Sequence, residues 1–315
     1  MTEPRNELTP TASPRAALVL TLVAVVVVVL PFISPGSGAT GSALPFAPPT
    51  PRAQSAVAAA EDVPRSGRVA TRIAILDRRF GSLATNAAAR TPTLTASLVK
   101  VVVAVDIITR RRENGLAVGQ RDLQLIQRSL AVSDDQAMNE LWTRFDGMGG
   151  IGRVSRRVGL TGTAPPGNPA LWAEATTTAA DMVKIFDFIL KMPPADRVSI
   201  MRPMTDPPAV AADGFAKNYG LLAPGLTESV AAKQGWMCCV GGGGQLHSTG
   251  VLGRDGRFVV ALLGQLPPTG NWGPARGQMN AVARAIVRVL YDDDPAVDVL
   301  PMVEEFLKPF GLNGR

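Results

Sequence analysis

Residues 95–111 read TASLVKVVVAVDIITRR, and the fold turns on whether this stretch is a strand or a helix. The run VVVAV at 101–105 favours a strand by propensity. An apolar stretch of more than fifteen residues that opens at Thr95 favours a buried helix instead. The helix reading puts Ser97 and Lys100 on one face, because residues i and i+3 are neighbours there. A serine becomes a useful nucleophile only with a base in hydrogen-bond reach. Lysine can be that base when burial and a neighbouring cation lower its pKa. The chain has one histidine, His247, which excludes an HExxH site, a His-rich metal cluster and a histidine triad with a spare. A Ser–Lys arrangement is therefore the natural way to activate a serine here.

Working outward, 68–77 (RVATRIAILD) is apolar with β-branched residues and leads through Phe80-Gly81-Ser82 into SLATN, which predicts a strand hairpin. Helical patterns follow at 120–132, 134–145 and 151–158, and a Pro/Gly stretch, 161–175, breaks the run. The next helix opens at Thr178, with Thr178 and Asp181 as a capping pair. Three strand-like runs come late, at 231–239, 246–252 and 257–265, separated by Gly241–Gly244 and Arg254-Asp255-Gly256. An amphipathic helix at 279–290 closes the order. The layout predicts an α+β fold: one antiparallel sheet assembled from both chain ends, beside a helical lobe.

Two further short elements follow Ser97-Leu98-Val99-Lys100 in order, Ser133-Asp134-Asp135 and Lys233-Gln234-Gly235. Each is weak alone, but the ordered triple should arise by chance on the order of 0.002 times in such a chain. The first two open helices and the third lies on a strand before a glycine turn. Lys233 supplies positive charge for a substrate carboxylate and helps depress the pKa of Lys100. Ser133 is placed to relay a proton to a leaving nitrogen and also reads as a helix N-cap. Bland readings stand beside these. The Arg110-Arg111-Arg112 run and Arg153, Arg156 and Arg157 read as solvated helix faces. His247 reads as structural or as a rim residue. The adjacent Cys238 and Cys239 staple no distant segments, and read either as a vicinal disulfide or as two thiols.

These elements resemble the penicillin-recognising serine enzymes, the class A β-lactamase-like family that includes relatives of the penicillin-binding proteins. The resemblance covers most of 68–290. RVATRIAILDRR resembles the family's first strand, TASLVKVVVAVDII its nucleophile helix, and SDDQAMNELW its SDNTAANLL run. TTTAADM is similar to the helix start after the omega loop, and AAKQGWM with FVVALLGQ to the K-T/S/N-G strand and its edge partner. The resemblance implies a β-lactamase/transpeptidase-like fold with Ser97 as the acylated nucleophile, Lys100 as its base, Ser133 as proton relay and Lys233 as carboxylate binder. It implies an oxyanion hole from the backbone N–H groups of Ser97 and Trp236, and a substrate-binding set of Asp135, Lys233, Gln234, Gly235 and Trp236. No metal or cofactor is implied.

The departures shape the expected chemistry. The omega loop of class A β-lactamases carries E-x-x-L-N, whose Glu activates the deacylating water. Between 161 and 175 the only acid is Glu174. Slow deacylation, the behaviour of a penicillin-binding protein, is expected. Asp135 replaces the family's Asn and should raise the pKa of Lys100. Gln234 replaces a hydroxyl residue and can still donate to a carboxylate. Ser133 follows Ser97 by only 36 positions, so a cleft wall should be missing or trimmed. The expected activity is a serine hydrolase or acyl-transferase that forms an acyl-enzyme with a peptidoglycan-type peptide or β-lactam-like amide. The alternatives are a catalytically degenerate cell-wall or partner-binding module on the same fold, and a true β-lactamase using Glu174.

The rest of the chain's 315 residues bounds the setting. A hydrophobic share of 46% with 18% charged residues excludes a wholly disordered chain. An aromatic share of 5% argues against a base-stacking platform, so no nucleic-acid partner is expected. Ala16–Leu30 (AALVLTLVAVVVVVL) carries no charge and has the length of a signal-peptide core; extended to Ile33 it reaches the lower edge of a bilayer span. A cleaved signal and an uncleaved anchor both fit, and either way the rest is exported. The expected organisation is 1–33 signal or anchor, 34–60 Pro/Ala/Ser-rich linker, 61–295 one serine hydrolase domain acting as a monomer, and 296–315 a C-terminal tail.

Overall fold

A computed structural model of the protein describes residues 46–291. The expected signal or anchor at 1–33 and the tail at 296–315 lie outside the described residues. Seven strands and eight helices are described: α1 (Pro51–Glu61), β1 (Ala70–Asp77), β2 (Ser82–Thr85), β3 (Thr93–Leu94), α2 (Val99–Asn114), α3 (Gln120–Ala131), α4 (Asp135–Arg144) and α5 (Gly147–Val158), then β4 (Thr176–Thr177), α6 (Ala179–Lys191), α7 (Pro194–Met201), β5 (Ser229–Met237), β6 (Gly244–Leu252), β7 (Phe258–Leu266) and α8 (Trp272–Tyr291). The main sheet has the order β2-β1-β7-β6-β5 and is antiparallel throughout. Chain-terminal strands thus meet in its middle, where β1 pairs with β7 from Ala70↔Gln265 to Asp77↔Phe258. β7 sits between β1 and β6, so FVVALLGQ is not the neighbour of AAKQGWM; β6 is.

Strand alternation divides the interior into two cores. On β1, Ala74 and Leu76 face the helical lobe with α2 and α6, while Ile73 and Ile75 face α1 and α8. The ambiguous stretch resolves as a short 3-10 turn, Ala96–Leu98, running into α2. Every residue of α2 from Val99 to Thr109 is buried, so tertiary packing overrides the β propensity of its valines. The helix stops at Gly115, whose φ of 64° closes it in the left-handed conformation. α2 and α3 use up the interval between Ser97 and Ser133, joined by five residues, 115–119.

Three expectations need correction. Residues 51–60 are not linker but most of α1, with Thr50 as N-cap and Pro51 in the first turn. Ala53, Ala56, Val57 and Ala60 form a stripe at i, i+3, i+4 and i+7 that is buried on the α8 side. The alanines that suggested low complexity are good helix formers of the right size for close packing. The expected domain boundary at 61 therefore falls inside the packed unit. Arg110 and Arg153 are not merely solvated: both reach the buried carboxylate of Asp106, Arg153 through a two-pronged contact at 2.8 Å, tying α2 to α5. Ser133 is not the cap of α4; Asp134 is, accepting from the Ala137 N–H.

Candidate active site

The nucleophile candidate sits where several constraints converge. Ala96, just before Ser97, has a φ of 45°, and Ser133 has one of 57°, both unusual for residues with a side chain. The backbone before Ser97 is pinned from two sides. Thr95 N–H donates to Ala175 O at 2.7 Å, and β3 pairs with β4, which fixes the 161–175 segment alongside. From below, His247 on β6 bonds the Leu94 carbonyl at 2.8 Å. Burial lowers the His247 pKa to about 4, so its ring is neutral and Nε2–H is the donor. His247 is thus structural and buried, not a rim residue.

The edge strand β5 closes against this turn. A Cβ on Gly235 would lie 3.2 Å from Thr95 O and 3.3 Å from both His247 and Leu98. Glycine lets strand and turn approach this closely without displacing a neighbour. The buried hydroxyl of Tyr219 bridges the carbonyls of Gly235 and His247, at 3.1 and 3.0 Å.

The side chains then meet as the spacing predicts. Lys100 Nζ lies 3.0 Å from Ser97 Oγ, 2.7 Å from Ser133 O, 3.3 Å from Ser133 Oγ and 2.5 Å from Asp135 Oδ1. Lys233 Nζ donates to Ser133 Oγ at 2.8 Å and to Gln234 O at 2.7 Å. Ser133 Oγ therefore stands between two lysines. Burial lowers the Lys100 pKa; Asp135, with Asp134 and Asp213, pulls the other way but does not prevail. The raising effect expected of Asp135 is real and is outweighed. Lys233 is pushed well below the ordinary lysine value by burial first, then by the charges of Lys100 and Lys217.

Two expected roles read differently here. Gln234 is buried and spends its amide inward, donating to Tyr219 O and accepting from Ser248 Oγ. Its side chain is committed to the fold rather than open to a substrate carboxylate, because strand alternation turns it away from its neighbours Lys233 and Gly235. Glu174 is half-buried on the 3-10 turn Trp172–Glu174, but it is Trp172 that stacks on the site, with Lys100 Nζ 5.0 Å from its ring centroid. The Trp172 indole is held by Asn139 Oδ1 at 2.7 Å. Cys238 and Cys239 are joined as a vicinal disulfide at the exposed end of β5.

Four residues escaped the motif reading: Trp172, Asp213, Phe215 and Lys217. Asp213 accepts from Trp236 Nε1 at 3.0 Å and from Phe215 N–H at 2.9 Å, and Phe215 stacks on Trp236 at 4.7 Å. Lys217 is buried with its Nζ on Ala131 O, and burial lowers its pKa to about 8. One signal could have found it. Of 32 basic residues only six are lysines, and three of those six, Lys100, Lys217 and Lys233, gather here. A cavity of about 710 Å³ lies apart from the site, between Phe46–Pro49 and α6; Lys191 is paired there with Asp187 and Arg157 with Glu113. Among the described residues no group of three His, Cys, Asp or Glu side chains is placed to hold a metal.

This architecture and geometry define the β-lactamase/transpeptidase-like fold, as the solved structures it resembles show. The chain superposes on a class A β-lactamase from Bacteroides cellulosilyticus with a TM-score of 0.62 at 10% identity, covering 77% of this chain and 99% of that one. A structure titled PBP-A gives 0.59 at 16% identity, covering 78% and 100%. A class A β-lactamase from Mycobacterium abscessus gives 0.57 at 18%, covering 75% and 98%. In sequence, the chain is 31% identical over 194 residues to proteins of Mycobacterium tuberculosis and Mycobacterium bovis named "Putative lipoprotein LppW". That match covers 60% of this chain and 61% of the relatives' length. No protein-family model matches. Among the described residues no helix is long and apolar enough to cross a membrane.

Proposed function

We propose that the protein is an exported serine hydrolase or acyl-transferase that forms a long-lived acyl-enzyme at Ser97 with a peptidoglycan-type peptide or a β-lactam-like amide. The observation that carries this is the buried relay Ser97–Lys100–Ser133–Lys233, with its links at 2.8–3.3 Å. Neutral Lys100 takes the proton from Ser97 Oγ as Oγ bonds to the substrate carbonyl carbon. The backbone N–H groups of Ser97 and Trp236 receive the oxyanion. The carbonyl C–N bond then breaks, and the leaving nitrogen takes a proton from Ser133 Oγ, which is resupplied from the lysine pair. Lys233, with Lys217 behind it, holds the substrate carboxylate.

Deacylation is expected to be slow because the 161–175 segment turns an indole, not a carboxylate, onto Lys100. Export rests on the uncharged stretch 16–33 and on the name of the mycobacterial relatives. This chain's two cysteines lie at 238 and 239, so any tether within it rests on 16–33 rather than on a lipidated cysteine.

The test is intact-protein mass spectrometry of the full chain after incubation with penicillins, cephalosporins and D-Ala-D-Ala-like thioesters. A persistent adduct on Ser97, lost in Ser97→Ala, is the expected result; unchanged turnover in Ser97→Ala sinks the proposal. The Lys100–Asp135 ion pair favours one second reading, a wall-peptide-binding module without turnover. Folded protein that binds such peptides and forms no adduct would establish it.

A further inference from the structure

The base of the relay is tied to the mouth of the cleft. Lys100 has a fully buried side chain, whereas that of its partner Asp135 is 61% exposed. The pair therefore joins the interior to whatever occupies the opening. A second exposed carboxylate, Asp213, is fixed at the same opening by Phe215 N–H and Trp236 Nε1. Both carboxylates act on Lys100 and on Lys233. From this arrangement we infer that the acyl donor carries an ammonium group that pairs with Asp135, and that this pairing releases Lys100 to serve as the base. The inference rests on the acyl-enzyme reading above and adds the substrate class and the trigger.

Charge balance around Lys100 sets what it can do. In the resting site four acceptors surround Lys100 Nζ, from Ser97, Ser133 and Asp135, which suits the charged ammonium with its three N–H donors. An ammonium cannot accept the Ser97 proton. Losing that proton would leave the Asp135 charge uncompensated beside a buried amine. A ligand cation at the exposed side of Asp135 compensates it from outside, and the Lys100 proton passes to solvent. Neutral Lys100 then takes the Ser97 proton as the Oγ–C bond forms and the C–N bond breaks. A ligand carboxylate in the same place meets Asp135 and Asp213 and is repelled. The remaining charges facing the pair are Asp134, held by Arg128 and the α4 N-terminus, and the lysines 217 and 233, which stay where they are.

Three penicillins with one nucleus separate the cases: ampicillin with an ammonium on the side-chain α-carbon, benzylpenicillin with hydrogen, and carbenicillin with a carboxylate. That substituent is about five bonds from the scissile carbonyl, within reach of a carboxylate two hydrogen bonds from Ser97. Rates of Ser97 acylation are read by mass spectrometry on the full chain. Ampicillin should react about two- to fivefold faster than benzylpenicillin, the scale of an exposed ion pair, with carbenicillin slowest. Asp135→Asn should level the series, and Asp213→Asn should narrow it. Equal rates in the native chain, or an order that survives Asp135→Asn, overturn the inference while leaving the acyl-enzyme reading intact. If no penicillin acylates Ser97, that reading fails, and calorimetry on Ser97→Ala decides this one. Tighter ampicillin binding that disappears with Asp135→Asn supports ammonium recognition, and equal binding of all three overturns it.

Discussion

The two walls of the cleft are built to different standards. The β5 wall is complete: Gly235 brings the strand against the nucleophile turn, Lys233 reaches Ser133 Oγ, and Tyr219 locks the strand to β6. The opposite wall, residues 161–175, is pinned just as firmly through Thr95 and the β3–β4 pairing, yet presents the face of Trp172. One side therefore brings a lysine and a close strand to the Ser97 turn, while the other lays an indole over Lys100. The difference teaches that rigidity near a nucleophile and chemistry at a nucleophile are separate properties.

The largest expected effect breaks the complete wall. Gly235→Ala places a methyl 3.2–3.3 Å from Thr95 O, His247 and Leu98, so the strand or these neighbours must give by a few tenths of an ångström. A misplacement of about 1 Å at such a site can cost about a hundredfold, so this smaller shift should lower the rate by about tenfold. Stopped-flow acylation with the folded state checked by circular dichroism measures it, and an unchanged rate would show that β5 does not set the geometry.

A change on the other wall should act on stability and on water. Trp172→Ala removes a buried indole, at a cost of about 3 kcal/mol, and opens the space over Lys100. Adduct lifetime should shorten a few-fold as water enters, with a lower unfolding midpoint. A longer lifetime would show that the indole does more than exclude water.

The smallest effect sharpens the account of the lysines. Burial gives Lys217 a pKa of about 8, against about 10.4 for a free lysine, so the unfolded chain binds more protons between those values. Its contribution therefore makes stability rise from pH 8 to about 10. Lys217→Met should remove that rise and add about 1 kcal/mol at pH 7, because the charged amine is no longer buried. Urea titrations at pH 7 and 10 test this; equal pH dependence in the two proteins would place the Lys217 amine in contact with water.

Much of this was legible in the chain because local signals agreed with one another. The Ser97–Lys100 spacing, the Thr178 cap, which accepts from Asp181 N–H at 3.0 Å, and the three late strands all appear as their patterns predict. Local chemistry misled where one composition serves two structures. The alanines of 53–60 make a packed helix as readily as a linker, and only the face of α8 tells them apart. Gln234 looked available to a ligand because its type can donate; its alternation on β5 turned it to Tyr219 and Ser248 instead.

By itself the sequence determined which groups could react, since residue type and i, i+3 spacing on a helix depend on covalent structure and short-range geometry alone. Tertiary structure decided the balance among them. The outcome of burial against Asp135 at Lys100, the gathering of Lys217 and Asp213 from a distant loop, and the choice of Trp172 over Glu174 at the opposite wall are contests of desolvation and packing. Such contests are settled only when segments far apart in the chain are brought within a few ångströms.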